Sequence, residues 1–246
     1  MFNFQFDRRM LIIMMIIIAL PTIFGYLGDP NRLLALLLTL PAVLIAITFH
    51  EYAHAFAADK LGDDTPRRQG RLSLNPFAHL DPVGSFLLIF AGFGWGKPVE
   101  TDPRNYTRNI SMDKGQAIVS IAGPLMNFLI AFITTIIYAL IVKFSPLTLM
   151  STMGNVLVVL LVQIIVTNIG LGVFNLIPLP PLDGSKIFNH FLPYKAKEWM
   201  YNNQQYLYIA FILIWITGLA GMIVSPVSNW IFNGMYKLVG KLVGLF

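Results

Sequence analysis

Between Leu33 and Lys60 the chain is predominantly apolar, yet His50-Glu51-Tyr52-Ala53-His54 lies inside that run. Two constraints meet here. A run of this length reads as a helix long enough to cross a bilayer, for which about 20 residues suffice. Ionisable side chains within such a helix are costly in lipid and mark a functional site. Histidines four apart share one helix face, so both imidazoles can reach one metal ion, and the glutamate between them points close to the ion's open position. This is the sequence form of a zinc hydrolase site.

Composition places the rest of the chain in the same setting. Hydrophobic residues make up 56% of the 246 and charged residues 12%, against about 25% charged in soluble domains. Mean hydropathy is +0.68, which makes this an integral membrane protein. The net charge of +5 is spread between apolar runs rather than gathered with aromatics in one patch, so it reports topology and excludes nucleic acid as a partner. With no cysteine, a metal must be held by imidazole, carboxylate or carbonyl groups. Arg8-Arg9 precede an apolar stretch without a clear small-residue cleavage site, so a retained anchor is expected.

Helices are expected near 10–27, 33–60, 115–143, 151–177 and 205–224. The apolar stretch 81–95 is too short to span and ends in Ala91-Gly92-Phe93-Gly94-Trp95-Gly96, which suits a re-entrant element. The β-prone Leu87, Ile89 and Phe90 make a hairpin the expected form. Re-entry also gathers Arg67, Arg68, Arg71, Lys97, Arg104, Lys114 and Lys186 on the cytoplasmic side, as basic residues favour. It brings the inner ends of the helices at 33–60 and 151–177 together. Gly123-Pro124 reads as a packing kink. From Val227 to Phe246 the apolar period fits an amphipathic helix lying in the interface. The expected fold is an all-α polytopic membrane protein of about six transmembrane helices, with a re-entrant hairpin and a C-terminal amphipathic helix. It is a single domain over 1–246, with a core of about 33–190 and C-terminal helices over 205–246.

A catalytic zinc site takes three protein ligands. Asp183 is on the correct side and follows Pro178, Pro180 and Pro181, which break the preceding helix and can turn its carboxylate back. It can equally cap the short helix after it, and the residues alone leave the two roles open. His79 reads as a structural loop residue and His190 as an interfacial one. Asp81, Glu100 and Asp102 read as capping or solvated residues beside turns.

His50-Glu51-x-x-His54, followed by Asn175-x-x-Pro178 and Leu182-Asp183-Gly184, resembles the site-2 protease family of intramembrane zinc metalloproteases. The stretches Asn75-Pro76-Phe77-Ala78-His79-Leu80-Asp81-Pro82, Phe93-Gly94-Trp95-Gly96-Lys97-Pro98-Val99 and Gly123-Pro124-x-x-Asn127 are similar to members without a PDZ or CBS module. The resemblance implies one zinc ion held by His50, His54 and Asp183, with Glu51 as the catalytic base and Asn175 near the scissile carbonyl. It further implies a substrate that is the transmembrane segment of a membrane protein, unwound and held along an edge drawn from about Leu87 to Val99. Membrane-tethered transcription regulators, anti-sigma or pro-sigma factors and remnant signal peptides are substrates of this kind. The expected location is a bacterial cell membrane, multi-pass, with the active site toward the cytoplasm.

A membrane metal transporter or channel is the competing reading, since ionisable groups in spans also line ion routes. The candidates here cluster at one depth with no relay crossing the other helices. A silent scaffold would have no use for Glu51. A glutamate as third ligand would have to be Glu100 or Glu198, both in polar loop-like contexts.

Overall fold

The computed structural model describes residues 16, 17, 19–21, 24, 25, 29–90, 96–107 and 109–245. These form helices α1 (Pro30–Leu61), α2 (Pro82–Phe90), α3 (Met112–Phe144), α4 (Thr152–Asn175), α5 (Asp183–Phe191), α6 (Tyr194–Asn202), α7 (Gln204–Ile216) and α8 (Leu219–Val243). A one-turn helix at Thr65–Arg68 and three 3-10 turns complete them. Among the described residues α1, α3 and α4 are each long and apolar enough to cross a membrane, and α7 with α8 make a fourth if that pair, bent by 72°, counts as one span. The first expected span, near 10–27, lies largely outside the described residues.

Side-chain placement in α3 explains how these helices pack. Its buried positions are Gly115, Ala117, Val119, Ser120, Gly123, Pro124, Asn127, Ala131, Thr134, Thr135 and Ala139, most of them small or polar, while Leu125, Leu129, Ile133, Ile137, Leu140 and Phe144 are exposed. Large apolar groups therefore face outward at helical spacing and small or polar ones inward. That inversion belongs to a helix solvated by lipid, where small residues let backbones approach and hydroxyls bond back to their own helix. Thr134 and Thr135 do so, donating to the carbonyls of Ile130 and Ala131 at 2.8 Å.

α3 starts on Ser111, whose hydroxyl accepts from the Lys114 N–H, and α4 on Ser151, whose hydroxyl accepts from the Gly154 N–H. These are ordinary N-caps. α1, α3 and α4 pack on one another, and Ala131, Ile165, Ile169 and Val173 form a buried cluster between α3 and α4. Val224, Ile231, Phe232 and Met235 of α8 close over it. The Lys143 ammonium donates to the Val243 carbonyl, so α8 ends beside the end of α3.

Two expectations change in detail. The break in the C-terminal region falls at Thr217 and Gly218, the latter at φ +77°. α8 carries apolar side chains on both faces: Ile231, Met235 and Val239 turn inward, and Trp230, Leu238 and Leu242 are exposed. Asn229, Asn233, Lys237 and Lys241 of the same helix are exposed too, so it keeps the polar stripe read from the sequence. In the segment expected to be a hairpin, Leu87–Phe90 end a helix instead of forming a strand. Residues 91–95 lie outside the described residues, and 96–102 form neither helix nor strand.

Both ends of the 62–111 segment are on one side of the bundle. The Thr107 N–H caps the Leu61 carbonyl at 2.9 Å, beside the start of α3. α2, at nine residues, is roughly 14 Å long against about 30 Å of hydrocarbon. Asp63, fully buried, organises this side. Its carboxylate accepts from the N–H groups of Thr65 (3.1 Å) and Asp102 (2.7 Å) and from the Asn105 amide (3.0 Å). Burial alone would raise its pKa, but the hydrogen bonds outweigh burial and hold it below the usual carboxylate value. Asp81, Asp102 and Glu100 take the local roles expected: Asp81 caps α2 through the Gly84 N–H, Asp102 accepts from the Arg104 N–H, and Glu100 accepts from Gln69.

Asp63→Ala strands three donors and should cost about 1–3 kcal/mol of stability, read as a lower Tm in detergent. Because the folded-state pKa is depressed, the gap from wild type should be complete above about pH 4 and shrink as pH falls through the folded value.

Candidate metal centre

His50 and His54 project from the buried face of α1, with ring centroids 4.6 Å apart at 85°. Their Nε2 atoms are 3.0 Å apart, and Asp183 Oδ2 lies 3.1 Å from each. All three residues are buried, and among the described residues they form the one group of histidines and carboxylates able to hold a metal ion. Asp183 reaches this position because α4 stops at Asn175 and the chain turns through Leu176-Ile177-Pro178 into α5. Gly184 makes the turn possible: a Cβ there would collide with the carbonyl oxygens of Leu176 and Ile177. Leu182, not Asp183, occupies the N-cap of α5. The Asp183 carboxylate faces the imidazoles instead of capping the helix.

The surroundings set the tautomers. The Asn127 amide nitrogen donates to the Ala46 carbonyl at 3.0 Å and to Asn168 Oδ1 at 2.9 Å, and Asn168 is in turn anchored on the Ile164 carbonyl. Two acceptors on its nitrogen turn the Asn127 oxygen toward His50 Nδ1, 2.7 Å away. His54 Nδ1 faces the Val119 carbonyl, also at 2.7 Å. Each Nδ1 therefore carries the proton, and each Nε2 presents a lone pair to the carboxylate oxygen. Three acceptors this close repel one another unless a cation lies among them. Their separations approach the roughly 3.3 Å between ligands on a tetrahedral zinc with bonds of about 2.0–2.1 Å. The donor set of two imidazoles and one carboxylate suits zinc, and the carbonyl and amide partners at Nδ1 are the outer support such ligands need.

Gly123 lets α3 come this close. A Cβ there would sit 2.5 Å from His54 Nε2 and 2.7 Å from His50 Cε1. The Gly123-Pro124 pair thus does more than kink a helix.

Glu51 is half-buried beside the three, and its Oε2 accepts from the Val99 N–H at 2.9 Å. Asn175 bonds back to the Leu171 carbonyl at 3.0 Å, which leaves its second N–H and its oxygen free of that bond. Glu51, Asn175 and the three metal-facing residues line one cavity of about 460 Å³, walled on its apolar side by Leu171, Phe174, Phe211 and Trp215. The Phe174 ring packs edge-on to Trp215, centroids 5.1 Å apart.

All five sequence-predicted site residues come together. His79 and His190 do not join them: His79 is buried in its loop with Nε2 2.7 Å from the Ser73 carbonyl, and His190 packs on Phe191. Sequence reasoning read close helix approach at the small residues around Gly123 but gave no role to Asn127 or Asn168 beside the histidines. The signal was present: Asn127 falls four residues after Gly123, and Asn168 seven before Asn175, each on a shared helix face in an otherwise apolar run.

Comparison with known proteins agrees with this geometry. The sequence profile of peptidase family M50 matches residues 38–218. YwhC of Bacillus subtilis, provisionally named a zinc metalloprotease, is 36% identical over 202 residues, covering 81% of this chain and 90% of that protein. Rip2 of Mycobacterium tuberculosis, provisionally named in the same way, is 27% identical over 200 residues, covering 79% of this chain and 70% of that protein. No solved structure matches.

Asn127→Leu keeps bulk but removes the acceptor that fixes the His50 tautomer. Zinc affinity should fall about 10- to 100-fold, measured by competition with a chelator in detergent, while the helical circular dichroism signal is retained.

Proposed function

The chain belongs to peptidase family M50, and from that premise we propose that it is an intramembrane zinc endopeptidase, hydrolysing peptide bonds within or near the membrane-spanning segments of other proteins. The observation that carries this reading is the convergence of three buried lone-pair donors with Glu51 in one cavity toward the C-terminal end of a helix long and apolar enough to cross a membrane. One zinc ion would be held by His50, His54 and Asp183. When bound, zinc supplies Lewis-acid polarisation of the scissile carbonyl and acidifies water.

The chain's own groups supply the rest. Glu51 takes a proton from the attacking water and returns it to the leaving amine, which makes it general base and then general acid. Its hydrogen bond from Val99 aims one oxygen and leaves the other for this traffic. Asn175 lines the same cavity and offers an N–H to the developing oxyanion. The apolar wall of Leu171, Phe174, Phe211 and Trp215 matches a substrate segment drawn from a bilayer.

A substrate helix must unwind to expose a carbonyl, and pairing with extended backbone offsets the bonds it loses. Of the edge expected over Leu87–Val99, Gly96, Pro98 and Val99 border the cavity, in a stretch that forms neither helix nor strand. The active site faces the cytoplasm in this reading, because the basic residues of the 62–111 segment and of Lys186, Lys195 and Lys197 gather at the ends of α1 and α4 that carry it.

Glu51→Gln removes the base and spares the ligands. With the protein and a single-span substrate reconstituted in liposomes, the variant should retain its zinc and lose cleavage by at least about 100-fold. Near-wild-type cleavage would reject Glu51 as the base, and a wild type without metal-dependent cleavage would reject the proteolytic reading.

A further inference from the structure

The arginines on the loop side of the bundle divide into two kinds. Arg67, Arg68 and Arg104 are exposed and paired with Asp59, Asp64 and Asp102. Arg71 is buried, and no ion pair with a carboxylate accompanies it among the described residues. Its guanidinium is spent on backbone: Nη1 donates to the Ala78 carbonyl and lies 3.5 Å from the Lys97 carbonyl. A buried cation is costly unless its donors are used, and here Nη1 bridges the Ala78 and Lys97 carbonyls.

The neighbouring bonds extend this junction to the site. The fully buried His79 ring ties residue 79 to the Ser73 carbonyl, and the Lys97 N–H donates to the His79 carbonyl at 2.8 Å. Residues 71–79 and 97 are thereby one hydrogen-bonded unit. Pro98 follows, and its ring fixes φ, which removes one of the torsions through which a shift at Lys97 could be lost before Val99. Val99 then donates its N–H to Glu51 Oε2.

We infer that Arg71 is a positioning residue for Glu51, acting through the Lys97 carbonyl, Pro98 and the Val99 N–H to hold the base at its working place in the cavity. The inference rests on Glu51 being the base, as proposed above. The three metal-facing residues sit on α1 and α5, outside this clamp. It therefore governs the base independently of the metal.

The test pairs hydrogen–deuterium exchange with kinetics on the full-length zinc-loaded protein. Arg71→Met keeps bulk without donors, Arg71→Lys keeps a cation with donors, and Val99→Pro removes the last link directly. In Arg71→Met the amides of Lys97 and Val99 should exchange at least about tenfold faster while α1 is unchanged. The kcat on a single-span substrate should fall about 10- to 100-fold, with KM within about threefold and zinc content unaltered. Arg71→Lys should recover most of the kcat, and Val99→Pro should match Arg71→Met without the double variant being worse. Unchanged exchange, or faster exchange with unchanged kcat, overturns the inference. So does additivity of the two variants. If Arg71→Met does not fold, a wild-type kcat in Val99→Pro overturns it alone. If the wild type fails to cleave, the proteolytic reading falls, and the exchange result still decides whether Arg71 holds the segment.

Discussion

Three lone pairs pressed to within 3.1 Å of one another are the constraint on which the helical core turns. No arrangement of neutral imidazoles with both Nδ1 protons committed outward satisfies them, and low-dielectric surroundings enlarge the repulsion. A cation converts the conflict into attraction. Holding the three in place takes the whole core: α1 contributes two, the turn between α4 and α5 the third, and α3 the close approach at Gly123 and the acceptor from Val119. The Asn127–Asn168 pair links all three long helices at this depth, since Asn127 also donates to Ala46 on α1. Metal binding and helix packing are accordingly one equilibrium rather than two.

This arrangement also accounts for how the bundle uses its surface. A helix in lipid gains little from hiding leucine, so packing must come from small residues and satisfied polar groups. α3 follows that rule along its length, and two of its buried polar positions serve the site: Asn127 directly and Ser120 as part of the cavity wall. What would be misplaced polarity in a soluble core is here the framework of the centre. α8 extends the same logic by covering the apolar cluster between α3 and α4 on one side and presenting Trp230 and Leu242 on the other.

Much of this was legible before any coordinates. The apolar runs located α1, α3 and α4 to within a few residues, because caps and prolines punctuate them plainly. The i, i+4 histidines stated their geometry outright. Asp183 was legible as a candidate but balanced against a capping role, and what separates the two is the backbone path allowed by Gly184, which periodicity does not reveal. Leu87, Ile89 and Phe90 favour strand in isolation, and the Asp81 cap and Pro82 start a helix that overrides them. In the C-terminal region the helical period was legible, while the packing of Ile231 and Met235 on the cluster between α3 and α4 depends on tertiary neighbours that no local pattern contains.

The centre is assembled by two frameworks of different kinds. The metal-facing residues are held by long helices and a buried amide pair, a rigid arrangement with nearly every polar atom committed. Glu51 shares α1 with the histidines, but its carboxylate is aimed by a segment outside any helix or strand that is tied down through carbonyls and one buried guanidinium. Backbone held this way opens more readily than packed helix, because few apolar contacts guard it. In the proposed function, the part of the site able to adjust is the part that would take the proton and meet an incoming peptide, while the geometry of the three metal-facing residues stays fixed.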